Sequence, residues 1–117
     1  VISLHCPLSE ENRGMICRSA LEKMKPGVFI LNTARGALVC EQDLKEAILS
    51  GKVGGAAVDV AVTEPISEDS PLLSTPNLII TPHIAWAPKE ARIRLMSTTV
   101  ENLRAYLAGE PVNVVNK

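Results

Sequence analysis

The chain has 117 residues, of which 46% are hydrophobic, 21% charged and 3% aromatic, with a formal net charge of −1. That is about one domain's length, with enough apolar residues to bury a core, which excludes wholesale disorder. The near-neutral balance gives no electrostatic reason to expect nucleic acid or an anionic membrane as partner, and no apolar run approaches the ~18–20 residues that span a bilayer.

Apolar runs alternate with helical patterns along the whole chain. Val1 to His5 reads as a strand that ends at Cys6-Pro7, and a polar connection over residues 9–12 follows. A short helix is expected from about Ser19 to Met24, stopped by Lys25-Pro26-Gly27, because proline disfavours helical geometry in the preceding residue and glycine supplies the turn. Val28 to Asn32 is continuously apolar until Asn32, as in a strand covered on both faces of a parallel sheet. A helix then runs from about Glu41 to Leu49. Leu44, Ala47 and Ile48 are its buried stripe, Glu41 and Asp43 favour its positive end, and Gly51 caps its far end.

Gly54 to Val60 reads as a further central strand, whose small residues would let a helix approach closely. Residues 63–77 form a loop rich in Glu, Ser, Asp and Pro. Leu78 to Ile80 is a short strand that ends at Thr81-Pro82-His83. Pro88 to Leu107 is a long amphipathic helix, with Ile93, Met96, Val100, Leu103 and Leu107 spaced by threes and fours and with Gly109 and Pro111 ending it. The class is therefore α/β with a mostly parallel sheet.

The chain opens inside a strand, without an initiator Met or a leader pattern, and trails off its last helix in polar and breaker residues. It reads as the C-terminal piece of a longer polypeptide. Cys6, Cys17 and Cys40 cannot all pair within one chain and form no C-x-x-C, so a reduced, cytosolic compartment is the simplest reading. The same cysteines are too scattered for zinc spacing, and His5 and His83 form no short-range pair, so no metal site is expected. The G-x-S-x-G, G-x-x-x-x-G-K-[ST] and G-x-G-x-x-G patterns are all absent.

In an open parallel sheet, ligands bind beyond the carboxyl ends of the strands. Arg35 after the second strand, Asp59 and Glu64 after the third, and His83 after the fourth would converge in one cleft there. Each type has a task in reducing a 2-oxo acid. An arginine can grip a carboxylate through two parallel hydrogen bonds and polarise the adjacent carbonyl. A histidine, with an ordinary pKa of about 6.5, can give the carbonyl oxygen a proton. A glutamate on the other ring nitrogen would orient the imidazole and favour its protonated form. Taken singly, each has a plainer reading: Arg35 in a surface ion pair, Glu64 as a solvated loop acid, His5 as a packed or cleft-edge histidine, Trp86 as a core residue.

Six segments in this order carry a stronger signal: Ser3 to Leu8, Met24 to Gly27, Asn32 to Gly36, Gly55 to Val60, Glu64-Pro65, and Thr81 to Ala85. Together they resemble the cofactor-binding domain of the D-isomer-specific 2-hydroxyacid dehydrogenases over essentially the whole chain. The resemblance implies part of a Rossmann-like doubly wound parallel sheet that lacks its N-terminal glycine-rich βαβ half. Residues 1–117 would be the C-terminal portion of the dinucleotide-binding domain, with the helix and tail at 88–117 packing toward a substrate domain carried elsewhere.

The implied catalytic set is Arg35 for the substrate carboxylate, Glu64 to orient the histidine and His83 as general acid/base. Cofactor contacts fall to Cys6 and Pro7 near the adenosine half, to Thr33 and Ala34 along the nicotinamide, to Asp59 on its carboxamide, and to Arg35, His83 and Ala85. The cofactor would be NAD, with NADP not excluded because the residue that chooses between them lies upstream in the family. The substrate would be a small 2-oxo or 2-hydroxy acid. Formate is disfavoured, since formate dehydrogenases of this superfamily carry Gln where Glu64 stands. The run His83 to Ala87 is most similar to glycerate dehydrogenases (hydroxypyruvate reductases). The resemblance further implies a homodimeric parent. Without the phosphate loop, whose amides and helix N-terminus hold the pyrophosphate, the isolated piece is expected to be inactive. The alternative is a non-catalytic module of the same superfamily that senses the dinucleotide and assembles in response.

Overall fold

The computed structural model describes residues Val1–Asn116. Four strands, β1 (Ile2–Leu4), β2 (Val28–Asn32), β3 (Val53–Val58) and β4 (Leu78–Ile80), alternate with helices α1 (Arg18–Lys23) and α2 (Glu41–Leu49). Short 3-10 turns lie at Gly36–Leu38 and Pro71–Ser74, and α3 (Lys89–Leu107) follows the last strand. The chain divides into two compact units, Val1–Ile84 and the remainder from Ala85.

In the first unit the sheet order is β1-β2-β3-β4 and every pair is parallel. The strands are wound in a single direction, which is one winding of a Rossmann-like sheet. Register aligns Ile2, Ile30, Ala56 and Leu78 in one row and Leu4, Asn32, Val58 and Ile80 in another. Because side chains alternate along a strand, both rows face the same way, and Leu21 of α1, Leu44 and Ile48 of α2 and Leu72 pack against them. On the other face Phe29 and Ile79 are exposed.

Element limits follow local chemistry. The turn at Gly27 has φ +72°, where only glycine is unstrained. Gly51, at φ +76°, closes α2 after Ser50. The paired glycines of β3 differ from expectation. A Cβ on Gly54 would meet the Gly27 carbonyl at 2.9 Å, and one on Gly55 would meet the Phe29 ring at 3.0 Å. They make room for a turn and an aromatic ring rather than for a helix. Likewise β3 starts one residue earlier and stops two residues earlier than the apolar pattern suggests, leaving Asp59 and Val60 beyond the paired strand.

The second unit is dominated by α3. Its end is a Schellman closure, with Gly109 N–H donating to Tyr106 O and Glu110 N–H to Ala105 O. None of its residues is buried, and Ile93, Met96, Val100, Leu103 and Leu107 are all exposed. Trp86 is 59% exposed, so it is not the core residue its composition suggests.

Candidate active site

The row Leu4, Asn32, Val58, Ile80 is the last fully paired one at the carboxyl edge of the sheet. Parallel pairing therefore brings His5-Cys6-Pro7, Thr33-Ala34-Arg35, Asp59 to Glu64 and Thr81 to His83 to one rim. Two backbone bonds extend the register past the strands: Asp59 N–H donates to Asn32 O at 2.9 Å, and Thr81 N–H to Val58 O at 3.0 Å.

Asn32 shapes the turn that presents Arg35. It is 1% exposed, and its Oδ1 accepts from Ala34 N–H at 3.1 Å while its Nδ2 donates to Arg35 O at 2.9 Å. This Asx-type turn satisfies a buried amide and points the chain out of the sheet. The Arg35 side chain is exposed and donates to Ala34 O at 2.7 Å. Thr33 is exposed and Ala34 half-buried beside it.

Glu64 and His83 meet directly, with His83 Nδ1 and Glu64 Oε2 2.6 Å apart. Glu64 Oε1 accepts from Ala61 N–H at 3.1 Å. The bond from His83, and then the one from Ala61, hold the Glu64 carboxyl below the ordinary Glu value, against a smaller opposing effect of desolvation. At pH 7 Glu64 is an anion seated on the imidazole. Among the described residues the structure thus joins Glu64 to His83 but joins Arg35 to neither, the Arg35 guanidinium bonding its own loop.

His83 has φ +56°, a left-handed conformation uncommon for non-glycine residues though less so for histidine. Its N–H donates to Thr81 O at 3.0 Å. Asp59 holds this turn from below: it is 4% exposed, and its Oδ1 accepts from the Thr81 hydroxyl and from Ile84 N–H at 2.9 Å. One carboxylate oxygen thereby binds residues on both sides of His83. A cavity of about 560 Å³ opens beside the pair, with Val60, Pro65, Ile66, Ile80 and Pro82 as apolar wall and Asp59, Glu64 and His83 as polar groups. That size and lining suit a small planar ligand.

At the β1 end, Cys6 is half-buried against the core, and Asn12 Nδ2 donates to Pro7 O at 2.8 Å. His5 is exposed rather than packed, with Nε2 2.7 Å from the Ser3 hydroxyl. All three cysteines are free. Ala85 lies outside this unit, at the start of the second. Among the described residues no cluster of His, Cys, Asp and Glu is gathered to hold a metal ion, and no helix is long and apolar enough to cross a membrane.

Three residues have structural roles that the reading of the sequence did not assign: Asn32, Gly36 and Glu41. Asn32 had a usable signal, a strand-ending Asn followed by small residues. The roles of the other two lie in what they do to a loop far along the chain.

The profile of the family described as "D-isomer specific 2-hydroxyacid dehydrogenase, NAD binding domain" matches residues 1–85. The chain is 58% identical to a hydroxypyruvate reductase of Blautia hydrogenotrophica over all of its 117 residues, which are 36% of that protein. It is 46% identical to a glycerate dehydrogenase of Methylorubrum extorquens, covering 98% of this chain and 37% of that one. Among solved structures, an acyclic imino acid reductase in complex with NADPH and D-Arg is similar at 34% identity and TM-score 0.86, covering 97% of this chain and 36% of that one. The chain thus spans little more than a third of the length of these relatives.

Proposed function

Since the chain belongs to the D-isomer-specific 2-hydroxyacid dehydrogenase family and is NAD-binding domain over most of its length, we propose that the longer polypeptide carrying it is an NAD(P)-dependent oxidoreductase. It interconverts a small 2-oxo acid and the corresponding 2-hydroxy acid, with hydroxypyruvate/glycerate or glyoxylate as the preferred substrates. The observation that carries this reading is the 2.6 Å contact between Glu64 and His83 at the carboxyl rim of a parallel sheet. A carboxylate that fixes one ring nitrogen leaves the imidazole oriented to move a proton through the other.

The nicotinamide, when bound, would supply the hydride, and this chain's residues supply the acid/base pair and the carboxylate grip. His83 holds the proton on Nε2 and delivers it to the substrate carbonyl oxygen. Glu64 fixes the ring through Nδ1. Arg35 grips the substrate carboxylate. The half-apolar cavity fits a planar nicotinamide, with Thr33 and Ala34 along it, Asp59 on its carboxamide, and Ala85 and the backbone at Cys6-Pro7 as further contacts. Support for these placements, Ala85 apart, is their common position at the strand ends and the NADPH in the similar imino acid reductase; Ala85 rests on the family resemblance alone.

The helix and tail at 88–117 pack toward the substrate domain of the intact protein, which acts as a homodimer in the cytoplasm. Free cysteines and the apolar stripe of α3 agree with that setting. The deciding experiment is NADH oxidation by the full-length protein with hydroxypyruvate, before and after His83→Ala. We expect kcat to fall by about 10²–10⁴-fold, the usual worth of a positioned acid/base, with NADH affinity kept. A fully active variant would refute the assignment, and NADH-driven assembly without any turnover would point to a binding module instead.

A further inference from the structure

The loop that carries Glu64 is held by a second carboxylate that does not line the 560 Å³ cavity. Glu41, the first residue of α2, accepts from Val62 N–H through Oε1 at 2.8 Å and from the Ser70 hydroxyl through Oε2 at 3.0 Å. The two oxygens of one side chain therefore close the two ends of the 62–70 loop. Ala61, one residue before the first of these bonds, turns its own N–H onto Glu64 at 3.1 Å. Consecutive amides are thus shared out, Ala61 to Glu64 and Val62 to Glu41, so the orientation of the intervening peptide sets where Glu64 can stand.

Gly36 fixes the same peptide from another side. A Cβ there would lie 2.0 Å from Ala61 C, 2.1 Å from Ala61 O and 2.5 Å from Val62 N, so the loop backbone rests directly on the glycine that follows Arg35. The loop is also a partition. On one side is a cavity of about 220 Å³ that includes Glu41, Thr63, Ile66 and Ser70; on the other is the cavity with Glu64 and His83.

We propose that Glu41 is the positioning residue of the Glu64–His83 pair, acting through the 61–70 loop, with Gly36 as the surface on which that loop is seated. The proposal rests on the reading of Glu64 and His83 as the acid/base pair, and it adds a residue with no contact to substrate or cofactor. An acid at a helix start has a plainer use, offsetting the helix dipole. That use predicts a loss of stability and nothing specific to Glu64, so the two are separable.

The test is a double-mutant cycle in the full-length enzyme, read as kcat and KM for the 2-oxo acid and for NADH. Glu41→Ala should lower kcat by about ten- to a hundred-fold, the scale of an ångström-sized misplacement, with KM for NADH unchanged. In the Glu64→Gln background the same substitution should cost less than about two-fold, because there is no longer a carboxylate to place. Glu41→Gln should recover most of the loss: its oxygen still accepts from Val62, and its NH₂ can donate to the Ser70 oxygen. Ser70→Ala, which removes the far half of the brace and with it the Ser70 cap on Leu72 N–H, should give a smaller loss of kcat, and the part due to the brace should show the same dependence on Glu64.

An undiminished Glu41→Ala effect in the Glu64→Gln background would overturn the proposal. So would a crystal structure of Glu41→Ala, or of Ser70→Ala if the former does not fold, with Glu64 still within hydrogen-bond distance of His83 and the loop in place. That structural reading stands even where Glu64→Gln alone leaves kcat/KM intact, a result that would remove the acid/base assignment and not the brace.

Discussion

Gly36 lies so close under Ala61 that the smallest side chain would enter the Ala61 carbonyl group, with 2.0 Å between the added Cβ and the carbonyl carbon. Backbone cannot yield as a flexible side chain can. Gly36→Ala should therefore displace residues 61–64 or destabilise the protein by at least the ~1–3 kcal/mol typical of overpacking. In the full-length enzyme we expect lower thermal stability together with reduced kcat. Parental stability and rate would show that the loop does not rest on this glycine.

The Glu64 carboxyl is held below its ordinary value by the bonds from His83 and Ala61, which links folding to pH in the acid range. A group depressed in the folded state contributes stability that is complete above the unfolded value and is lost as pH falls through the folded one. Glu64→Gln should therefore lower the thermal midpoint most near neutral pH. The parent and variant midpoints should converge on acidification through and below the ordinary Glu range. The effect should be modest, since both side chains are partly exposed. Midpoints measured from pH 7 down to about pH 3 decide it, and a constant offset across that range would argue against the linkage.

Arg35 is exposed and, among the described residues, bonded only to its own loop, so its contribution to the fold is small and its substitution should read out ligand binding. Arg35→Lys keeps the charge but loses the paired donors. We expect KM for the 2-oxo acid to rise about ten-fold or more, as for loss of a charge-assisted hydrogen bond worth ~1.5–3 kcal/mol, with the thermal midpoint unchanged. An unchanged KM would remove Arg35 from the substrate site.

The 117-residue chain contains no glycine-rich dinucleotide loop. Amides of such a loop and its helix dipole are what hold a pyrophosphate. Titration of the isolated chain with NADH, followed by fluorescence or calorimetry, should give binding far weaker than for the full-length protein. Equal affinity would mean that the strand-end contacts around Asp59 and Thr33 suffice.

The exposed stripe Ile93, Met96, Val100 and Leu103 on α3 should make the isolated chain self-associate in a concentration-dependent way. Met96→Glu with Val100→Lys, placing opposite charges four apart on the helix, should return it to a monomer by sedimentation. A chain that is monomeric from the outset would contradict this.

Much of the fold is legible along the chain because it is set by short-range periodicity. Val28 to Asn32 and Leu78 to Ile80 are apolar runs of strand length. Leu44 and Ile48, one turn apart and buried in α2, announce a helix over a sheet. Gly27 and Gly51 mark turns because few residues other than glycine accept their φ without strain. From such signals alone came the α/β class, the parallel sheet and the expectation that Arg35, Asp59, Glu64 and His83 stand at strand ends.

Which residues touch is decided by the tertiary structure, and of these contacts the family resemblance implies only that of Glu64 with His83. Glu64 and His83 are 19 positions apart, and Glu41 meets Val62 and Ser70 across 21 and 29. No periodicity encodes such pairs; they arise when parallel register brings separate strand ends to one rim. For Asp59 the sequence indicates only a place beyond a strand and, by resemblance, a contact to the cofactor. Burial also turned it into the anchor of the His83 turn, because a carboxylate taken out of water must have its lone pairs satisfied by the chain around it.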